Sequence, residues 1–435
     1  MVGTVSILAR STLRRSGAEL ANRANIYVHM IDYSVTKLAP KLGDDRRICT
    51  RTVLDDGIPG ITFDSEGVCN FARRAEWRLK NEAFFGAERE ARLSALLATM
   101  KAAGKGRNYD CLIGVSGGVD SSFVAMKVVE MGLRPLAIHL DNGWNSDVAV
   151  SNIEKIMRGL GIDLHTHVIE WDEFKDLQRA YFRASVLDLE CVSDHAINTI
   201  LLRIANQWGI RHVITGTNVT TESIIPPAWI YDKRDGKNLL SIHRKFGSVK
   251  LRTYPYMRPS KLFYYLFVKR IMAVPILNYI DYNKTAAVAE LTAKLGWEPY
   301  PRKHGENRFT RFFQEYYLPT KFGIDKRKAH FSSLIVAGEL TREEALEKLR
   351  QPLYLSETEL NEEFEYVAKK LSFSIDELEQ VIAAPPRKHA DYGNAAWMFD
   401  HSSKWVQLAR YMAKGEFSIS RIRAVWKAEK MAKIS

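Results

Sequence analysis

The stretch Cys111-Leu-Ile-Gly-Val-Ser-Gly-Gly-Val-Asp-Ser-Ser122, followed by the apolar Phe123-Val-Ala-Met-Lys-Val-Val129, decides the fold of this chain. It reads as an apolar strand, a glycine turn and an apolar helix. Glycines in such a turn let successive backbone N–H groups converge on phosphate oxygens, and the N-terminal end of the helix adds its positive potential. The sequence therefore predicts a phosphate-binding loop at 116–122.

The loop differs from the two commoner phosphate loops. A Walker loop needs Gly-Lys before Ser or Thr, and a dinucleotide fingerprint needs G-x-G-x-x-G; neither is present at 114–122. The alternative is a glycine turn that only joins a strand to a helix. The strand-loop-helix context favours the phosphate-binding loop, because such motifs are confirmed by that context. Asp120 could hold a water or Mg²⁺ against the phosphates. The predicted phosphate ligands are Ser116, Gly117, Gly118, Asp120, Ser121 and Ser122.

Short apolar segments alternate with helical periodicity after residue 109. This alternation predicts an α/β fold with a parallel, doubly wound, five-stranded sheet. The strands are expected at 110–115, 136–140, 164–169 and 212–215, with a fifth near 250–254. From 259 onward the pattern is helical, and capping boxes predict helices that begin near Thr341, Ser356 and Ser374. A helix over 77–100 should lead into the sheet.

The predicted regions are an N-terminal extension (1–48), a segment with cysteines and a leading helix (49–108), a nucleotide-binding domain (109–258) and a mostly α-helical substrate or partner domain (259–435). The first 29 residues are basic and could be a transit peptide or a simple extension.

The composition limits the compartment and the partners. A net charge of +12 favours a polyanionic ligand. The four cysteines form no disulfide framework, so we expect a cytoplasmic protein. The most apolar long stretch, 262–282, contains Lys269 and Arg270, which argues against a membrane span.

The SGG-x-DSS pattern of 116–122 resembles the loop of the ATP pyrophosphatases, whose fold is called adenine nucleotide alpha hydrolase-like. That resemblance implies binding of ATP and Mg²⁺, and cleavage of ATP between the α and β phosphates. It also implies that adenine packs near His139 and Asp141 at the end of the second strand, where Asp141 could equally be a cap of the strand end. The turn after the fourth strand, with Gly216 and Asn218, would close over the nucleotide.

Further stretches resemble one narrower family, the N-acetyl sugar amidotransferases of lipopolysaccharide and nonulosonic acid biosynthesis. They are Gly216-Thr-Asn-Val-Thr-Thr-Glu222-Ser, Ile242-His-Arg-Lys-Phe246-Gly, Leu277-Asn-Tyr-Ile-Asp-Tyr282 and the segment from Lys303-His304-Gly-Glu306 to Pro352. The resemblance covers about 49–355. It implies that the acetamido group of an N-acetyl, nucleotide-linked sugar is converted to an acetamidino group through an adenylylated imidate.

The chain departs from this family at two cysteine pairs. The family usually has two Cys-x-x-Cys pairs, a spacing suited to tetrahedral zinc. Here the positions read Cys49-Thr-Arg-Thr52 and Cys69-Asn-Phe-Ala72, so one cysteine of each pair is missing. Two thiolates alone make a poor zinc site. Cys49 and Cys69 are interpreted as remnants of the motif, and zinc is not expected.

The source of ammonia has to lie outside the chain. No cysteine sits in a Gly-x-Cys-x-Gly elbow, and position 2 is Val2, so the chain has no recognisable glutaminase nucleophile. The resemblance implies a class I glutamine amidotransferase subunit as partner, with free ammonia as the alternative. Association with a second copy of the chain stays open.

A basic patch between 302 and 330 suits a nucleotide-linked, carboxylated sugar. Its candidate substrate ligands are Arg308, Arg311, Lys321, Lys326 and Arg327, although a solvated basic face is an equal alternative for any one of them. The candidate catalytic residues are Asp120, Lys303, His304, Glu306 and Glu222, since a histidine near neutral pH could move a proton from attacking ammonia. The aromatic residues at 309, 312, 313, 316 and 317 are expected in the core.

Two other functions compete with this interpretation. Some tRNA thiolases share the loop, and the positive charge would suit RNA, but they typically carry a Cys-x-x-Cys pair that this chain lacks. We therefore expect no nucleic acid partner. A non-catalytic nucleotide-binding scaffold is the third hypothesis, and the intact loop argues against it.

Overall fold

The computed structural model describes residues 46–300 and 305–398, and its centre is a five-stranded parallel sheet. The order across the sheet is β3-β2-β1-β4-β5, and every neighbouring pair is parallel. The strands are β1 (Cys111–Gly114), β2 (Pro135–Asp141), β3 (Asp163–Val168), β4 (His212–Thr215) and β5 (Met272–Pro275). The predicted α/β class with a parallel five-stranded sheet is confirmed.

Helices connect the strands, as parallel neighbours require. Up to β5 they are α1 (Asn70–Glu82), α2 (Gly86–Ala103), α3 (Val119–Glu130), α4 (Asp147–Leu160), α5 (Trp171–Ala184), α6 (Cys191–Gln207), α7 (Val219–Glu222), α8 (Gly236–Phe246) and α9 (Pro259–Phe263). After β5 they are α10 (Lys284–Leu295), α11 (Arg308–Phe312), α12 (Leu318–Phe322), α13 (Arg327–Ala337), α14 (Arg342–Arg350), α15 (Glu357–Lys370) and α16 (Ile375–Ala383). Single 3₁₀ or π turns lie at Pro227–Trp229, Tyr264–Val268, Ile276–Tyr279, Phe313–Tyr317, His389–Asp391 and Ala396–Met398.

Both faces of the sheet are covered, which is the doubly wound arrangement. Leu112 and Ile113 are adjacent in β1, and they belong to different buried clusters because successive side chains of a strand point to opposite faces. The cluster of Ile113 includes Phe123 of α3 and Leu291 of α10. The cluster of Leu112 includes Phe174 of α5 and residues from the helices after β5.

The fifth strand is β5 at 272–275, not the segment near 250–254, so that prediction is wrong. The backbone N–H groups of Thr253 and Tyr254 donate to the carboxylate of Glu173 at 2.8–3.1 Å, and therefore need no strand partner. Burial opposes ionisation of Glu173, but these hydrogen bonds outweigh it and lower its pKa. The strand β5 lies beyond residue 258, so the sheet takes its last strand from the region predicted to be helical.

The single helix predicted over 77–100 is two helices, α1 and α2, separated at 83–85. Phe84 leaves the helical path because its N–H donates to the carbonyl of Asn278 at 3.1 Å. Its ring packs on Tyr279, with the ring centroids 4.9 Å apart. A contact with residues almost two hundred positions away thus overrides the local helical pattern.

The described residues after β5 are mostly helical, as predicted. Thr341, Ser356 and Ser374 are the N-caps of α14, α15 and α16, and each side chain accepts a hydrogen bond from the N–H three residues later. The predicted aromatic core stripe is confirmed, since all five of its members are at most 3% exposed: Phe309, Phe312, Phe313, Tyr316 and Tyr317. No helix within 46–300 or 305–398 combines the length and the apolar composition that a membrane span requires.

The four positions of the two former cysteine pairs still meet in the fold. Cys49, Thr52, Cys69 and Ala72 are fully buried. The Cys49 thiol accepts a hydrogen bond from the N–H of Cys69 at 3.2 Å, and the Cys69 thiol accepts one from the N–H of Ala72 at 3.4 Å. A hydrogen bond from the Cys69 thiol outweighs burial and lowers the pKa of Cys49 to about 5. Packing and hydrogen bonds thus hold this segment together.

Candidate active site

The loop between β1 and α3 takes its shape from Gly117, whose φ of +79° lies in the left-handed region. A Cβ at this position would lie 2.5 Å from the carbonyl oxygen of Ala149 in the first turn of α4, so only glycine fits. Gly118 is extended and is the N-cap of α3. The N–H groups that begin α3 have no intrahelical acceptor, which makes this turn suited to an anion.

Three serines of the loop divide into two roles. The hydroxyl oxygens of Ser116 and Ser121 lie 3.1 Å apart, and Ser121 also donates to the carbonyl of Gly118 at 3.1 Å. Both serines line a cavity beside the loop. Ser122 is 1% exposed, and its hydroxyl has no hydrogen-bond partner among the described residues. Ser116 and Ser121 are therefore placed to contact a ligand, whereas Ser122 faces the interior.

Asp120 lies in the first turn of α3 and accepts a hydrogen bond from the hydroxyl of Tyr282. Burial and the neighbouring Asp120 carboxylate raise the pKa of Tyr282, so this tyrosine stays a neutral donor. The contact joins residues 162 positions apart. Tyr282 ends one of the stretches that carry the family resemblance, but nothing in its spacing identified it as a site residue.

Two further aromatic residues hold the loop and were also not predicted. The indole N–H of Trp297 donates to the carbonyl of Gly117 at 3.0 Å, and the hydroxyl of Tyr300 donates to the same oxygen at 2.9 Å. Two residues that follow β5 therefore hold the Gly117 carbonyl in place. A fixed peptide keeps the loop in its ligand-ready geometry without the ligand.

The cavity beside the loop has a volume of about 610 Å³, which is within the usual range for small-molecule sites. It brings the loop together with predicted residues from far along the chain. The predicted residues that line it are Ser116, Gly118, Asp120, Ser121, Glu222, Glu306 and Lys326. Its remaining wall includes Trp229, Gln314 and His330. Apolar, aromatic and ionisable groups therefore share one concave site.

Glu306 reaches the loop because its backbone pairs with the turn after β2. Asn145 and Asn307 form an isolated antiparallel bridge, and the N–H of Ser146 donates to the Glu306 carbonyl at 3.0 Å. A Cβ on Gly118 would lie 3.9 Å from the Glu306 carboxyl group. The backbone pairing therefore places a carboxylate against the start of α3.

The turn after β4 supports the cavity through Gly216 and Asn218, neither of which lines it. A Cβ on Gly216 would lie 3.2 Å from the Cβ of Asp120, so this glycine lets β4 approach the loop closely. Asn218 is buried and accepts a hydrogen bond from the N–H of Thr221 at 2.8 Å, which caps α7. The last residue of α7, Glu222, is thereby held at the cavity wall.

Lys326 brings a cation to the part of the cavity that α13 and the turn before it form. Its ammonium group lies 3.7 Å from the Glu190 carboxylate and 5.0 Å from the ring centre of Phe313. Nearby, the half-buried Lys233 binds Asp188 at 2.5 Å and Asp194 at 3.3 Å. The carboxylates on that side hold Lys326 in place.

Three of the predicted substrate cations have structural partners instead. Arg311 binds Glu315, Glu359 and Glu363 at 2.6–3.1 Å, an arrangement that ties α11 to α15. Burial raises the pKa of Glu363 to about 7, with Arg311 opposing the shift. Arg311 is half buried and committed to these carboxylates, so we do not include it in the substrate site.

Lys321 and Arg327 cap the ends of helices. Lys321 donates to the carbonyls of residues 381, 382 and 384 at the end of α16, and burial lowers its pKa to about 8. Arg327 binds Asp325 at 2.8 Å and donates to the carbonyl of Gln351 after α14 at 2.9 Å. Neither lines the cavity beside the loop, so both are left out of the substrate site. Arg308 stacks on Tyr366, 3.5 Å from its ring centre, and also lies outside that cavity.

His139 and Asp141, predicted near the adenine, lie at the end of β2 but do not line this cavity. The His139 ring is buried, with Nδ1 3.0 Å from the Val115 carbonyl oxygen and Nε2 3.2 Å from the Asn145 amide nitrogen. The carbonyl can only accept, so Nδ1 carries the proton. Asp141 accepts a hydrogen bond from the N–H of Gly143 at 3.0 Å, which caps the strand end.

The donor set of the cavity suits Mg²⁺ bound together with phosphates. Mg²⁺ commonly takes one or two carboxylates and completes its shell with water and substrate phosphate. Asp120 would hold it, with Glu222 in the same cavity. Among the described residues no group of three His, Cys, Asp or Glu side chains forms a metal site without such help. Lys303 and His304 lie outside the described residues.

Residues 306–404 match the model of a protein family described as LPS biosynthesis protein WbpG-like, C-terminal domain. Among solved structures, NMN synthetase from Francisella tularensis is similar at 14% sequence identity with a TM-score of 0.30; the alignment covers 67% of this chain and 98% of that chain. No curated protein matches the chain significantly.

The family match includes Glu306 and Lys326 of the cavity and all of the helices from α11 to α16. It confirms, over residues 306–404, the resemblance of this chain to a family of lipopolysaccharide biosynthesis proteins.

Proposed function

We propose that this chain is an ATP-dependent amidotransferase that converts the acetamido group of an N-acetyl, nucleotide-linked sugar to an acetamidino group. The observation that carries the proposal is the cavity in which the SGG-x-DSS loop meets Glu222, Glu306 and Lys326. The family match to lipopolysaccharide biosynthesis proteins supports a sugar substrate.

ATP is needed because an amide does not react with ammonia on its own. Amide resonance is strong, as the barrier of ~18–20 kcal/mol to C–N rotation shows, so ammonia alone does not displace the amide oxygen. In the proposed first step the acetamido oxygen attacks the α-phosphorus, and pyrophosphate leaves with the electron pair of the broken P–O bond. Ammonia then adds to the imidate carbon, the C–O bond to AMP breaks, and a nitrogen proton is lost. The products are the amidine, AMP and pyrophosphate.

Each part of this proposed reaction is assigned to particular residues of the cavity. The N–H groups at the start of α3 would bind the phosphates, with the hydroxyls of Ser116 and Ser121 beside them. Asp120, oriented by Tyr282, would hold Mg²⁺, which neutralises charge on the departing pyrophosphate. Glu306 would take the proton from the attacking nitrogen, a role that Lys303 and His304 could share. Lys326 would bind an anionic group of the sugar nucleotide.

The chain would receive ammonia from outside. Its four cysteines are buried, and burial raises the pKa values of Cys111 and Cys191. The pKa of Cys49 is low, but its thiol has no access to solvent. None of them is placed as the nucleophile that a glutaminase needs. We therefore propose a class I glutamine amidotransferase subunit as the partner, with free ammonium as a substitute in vitro.

Pyrophosphate release tests the proposed function. The purified chain is given ATP, Mg²⁺ and ammonium, with either a panel of N-acetyl sugar nucleotides or bulk tRNA. We expect release that needs both an acetamido sugar nucleotide and ammonium. Release that needs tRNA instead would favour the modifying enzyme, and no release with either would favour a nucleotide-binding scaffold. Mass spectrometry of the sugar product, in which NH replaces the amide oxygen, identifies the substrate.

A further inference from the structure

A second cavity, of about 620 Å³, opens at the carboxyl ends of β2 and β3. It lies apart from the cavity beside the loop, and no described residue lines both. Gly143 of the second cavity lies two residues before Asn145, which pairs with Asn307 in the bridge that places Glu306. In open α/β sheets, ligands bind outside the carboxyl ends of the strands. The usual position is where the strand order reverses, here between β1 and β4, and this cavity lies at the same edge of the sheet, toward β3.

Aromatic rings form its inner wall. Trp171 and Tyr366 are half buried and line the cavity, and the fully buried Trp144 lies behind both, with ring centroids 5.9 and 6.1 Å from theirs. Gly143 has a φ of +74°, and a Cβ there would lie 3.3 Å from the Trp171 ring. The backbone of the turn after β2 thus packs directly against the indole and leaves ring surface open to the cavity.

The charge of this cavity is positive. Lys370 lies 5.1–5.5 Å from the ring centres of Trp144, Trp171 and Tyr366 and donates to the carbonyl of Gly143. Lys369 lines the cavity beside it. Within residues 46–300 and 305–398, neither lysine forms an ion pair with a carboxylate. Such cations with open aromatic surface favour an anion that carries a flat, apolar group.

Two carboxylates limit where that anion can sit. Glu170 occupies the N-terminus of α5, where its side chain accepts hydrogen bonds from the N–H groups of Asp172 and Glu173. The helix end is thus closed to a phosphate, which leaves the lysines to bind it. Asp141 lines the cavity at the end of β2, where one of its oxygens caps the turn. A carboxylate in that position can accept a hydrogen bond from a ribose hydroxyl.

We propose that this cavity binds a nucleoside diphosphate: the base on Trp171 and Tyr366, the ribose at Asp141 and the phosphates at Lys369 and Lys370. It would hold the nucleotide carrier of the sugar, an identity that rests on the proposed function. The triphosphate would bind in the cavity beside the loop, which is large enough for a whole nucleotide. Asp141 would therefore contact the carrier and not ATP.

Calorimetry on the full chain tests this site. The protein is first saturated with α,β-methylene ATP, which cannot be cleaved at that bond, and then titrated with uridine, guanosine and cytidine diphosphates in turn. We expect one of them to bind with one site per chain while the analogue stays bound. Tyr366→Ala and Lys370→Ala should each weaken that diphosphate about tenfold, because they remove stacking and a charge. Binding of the ATP analogue should be unchanged.

A matched pair of control variants is available at Lys261 and Tyr264, where an ammonium group lies 4.9 Å from a ring centre outside this cavity. Lys261→Ala and Tyr264→Ala should leave diphosphate binding unchanged. Equal weakening of the ATP analogue by Tyr366→Ala would assign the cavity to ATP and overturn the proposal. So would the absence of diphosphate binding to the saturated protein. Failure of the pyrophosphate assay would refute the proposed function but would not change this stoichiometry.

Discussion

Asp120→Asn is expected to reduce ATP-dependent pyrophosphate release by about 100-fold or more, because a carboxylate that helps neutralise developing charge would be lost. Asparagine has the same size and can still accept the hydrogen bond from the Tyr282 hydroxyl. The substitution therefore removes charge and leaves the packing at the start of α3 in place. The measurement is the rate of pyrophosphate release with saturating ATP, ammonium and the accepted sugar nucleotide.

A matched control is Asp376→Asn, since Asp376 is an exposed aspartate in the first turn of α16, outside the cavity. It should keep the full rate. Thermal unfolding of both variants shows that any loss does not come from misfolding. A variant at Asp120 that works at the rate of the unmodified chain would contradict the proposed role of the loop carboxylate.

Gly117→Ala is expected to weaken binding of an ATP analogue by about 100-fold, because a displacement of about 1 Å in a positioning element can cost that much. The added Cβ would lie 2.5 Å from the Ala149 carbonyl oxygen, so the loop or α4 has to move. Movement of the loop also breaks the hydrogen bonds from Trp297 and Tyr300 to the Gly117 carbonyl. Calorimetric titration with the analogue gives the affinity.

Gly161→Ala is the matched control for Gly117→Ala. It introduces an alanine in the left-handed conformation without a steric clash, so it shows how much of the effect comes from the backbone conformation alone. Gly161 caps α4 with a φ of +62°, and a Cβ there would have no neighbour within 4 Å. The left-handed conformation itself costs an alanine about 1–2 kcal/mol. We expect both variants to lose stability, but only Gly117→Ala to lose nucleotide affinity. Equal affinities in the two variants would show that the loop does not depend on this geometry.

The sequence was most informative where structure is local. The glycine loop, the caps at Thr341, Ser356 and Ser374 and the aromatic stripe depend on residues within one or two turns. The alternation of apolar segments and helical periodicity predicted the first four strands of the sheet for the same reason. In each case short-range chemistry fixes both the pattern and the structure.

The sequence was less informative where contacts with residues distant in the chain determine the local structure or the role of a side chain. The segment near 250–254 has the composition of a strand, but Glu173 takes its N–H groups. Arg311 looks like a substrate cation until Glu359 and Glu363, from a helix about fifty positions away, are seen beside it. The support of the loop by Tyr282, Trp297 and Tyr300 spans more than 160 positions, which no local pattern reveals.

The most direct test of the central claim follows one oxygen atom. The accepted sugar nucleotide is prepared with ¹⁸O in its acetamido group and incubated with the chain, ATP and ammonium, and the AMP that forms is examined by mass spectrometry. Adenylylation of the acetamido oxygen predicts AMP that carries the ¹⁸O atom, formed together with pyrophosphate. Unlabelled AMP, or ADP and phosphate in its place, would contradict the account.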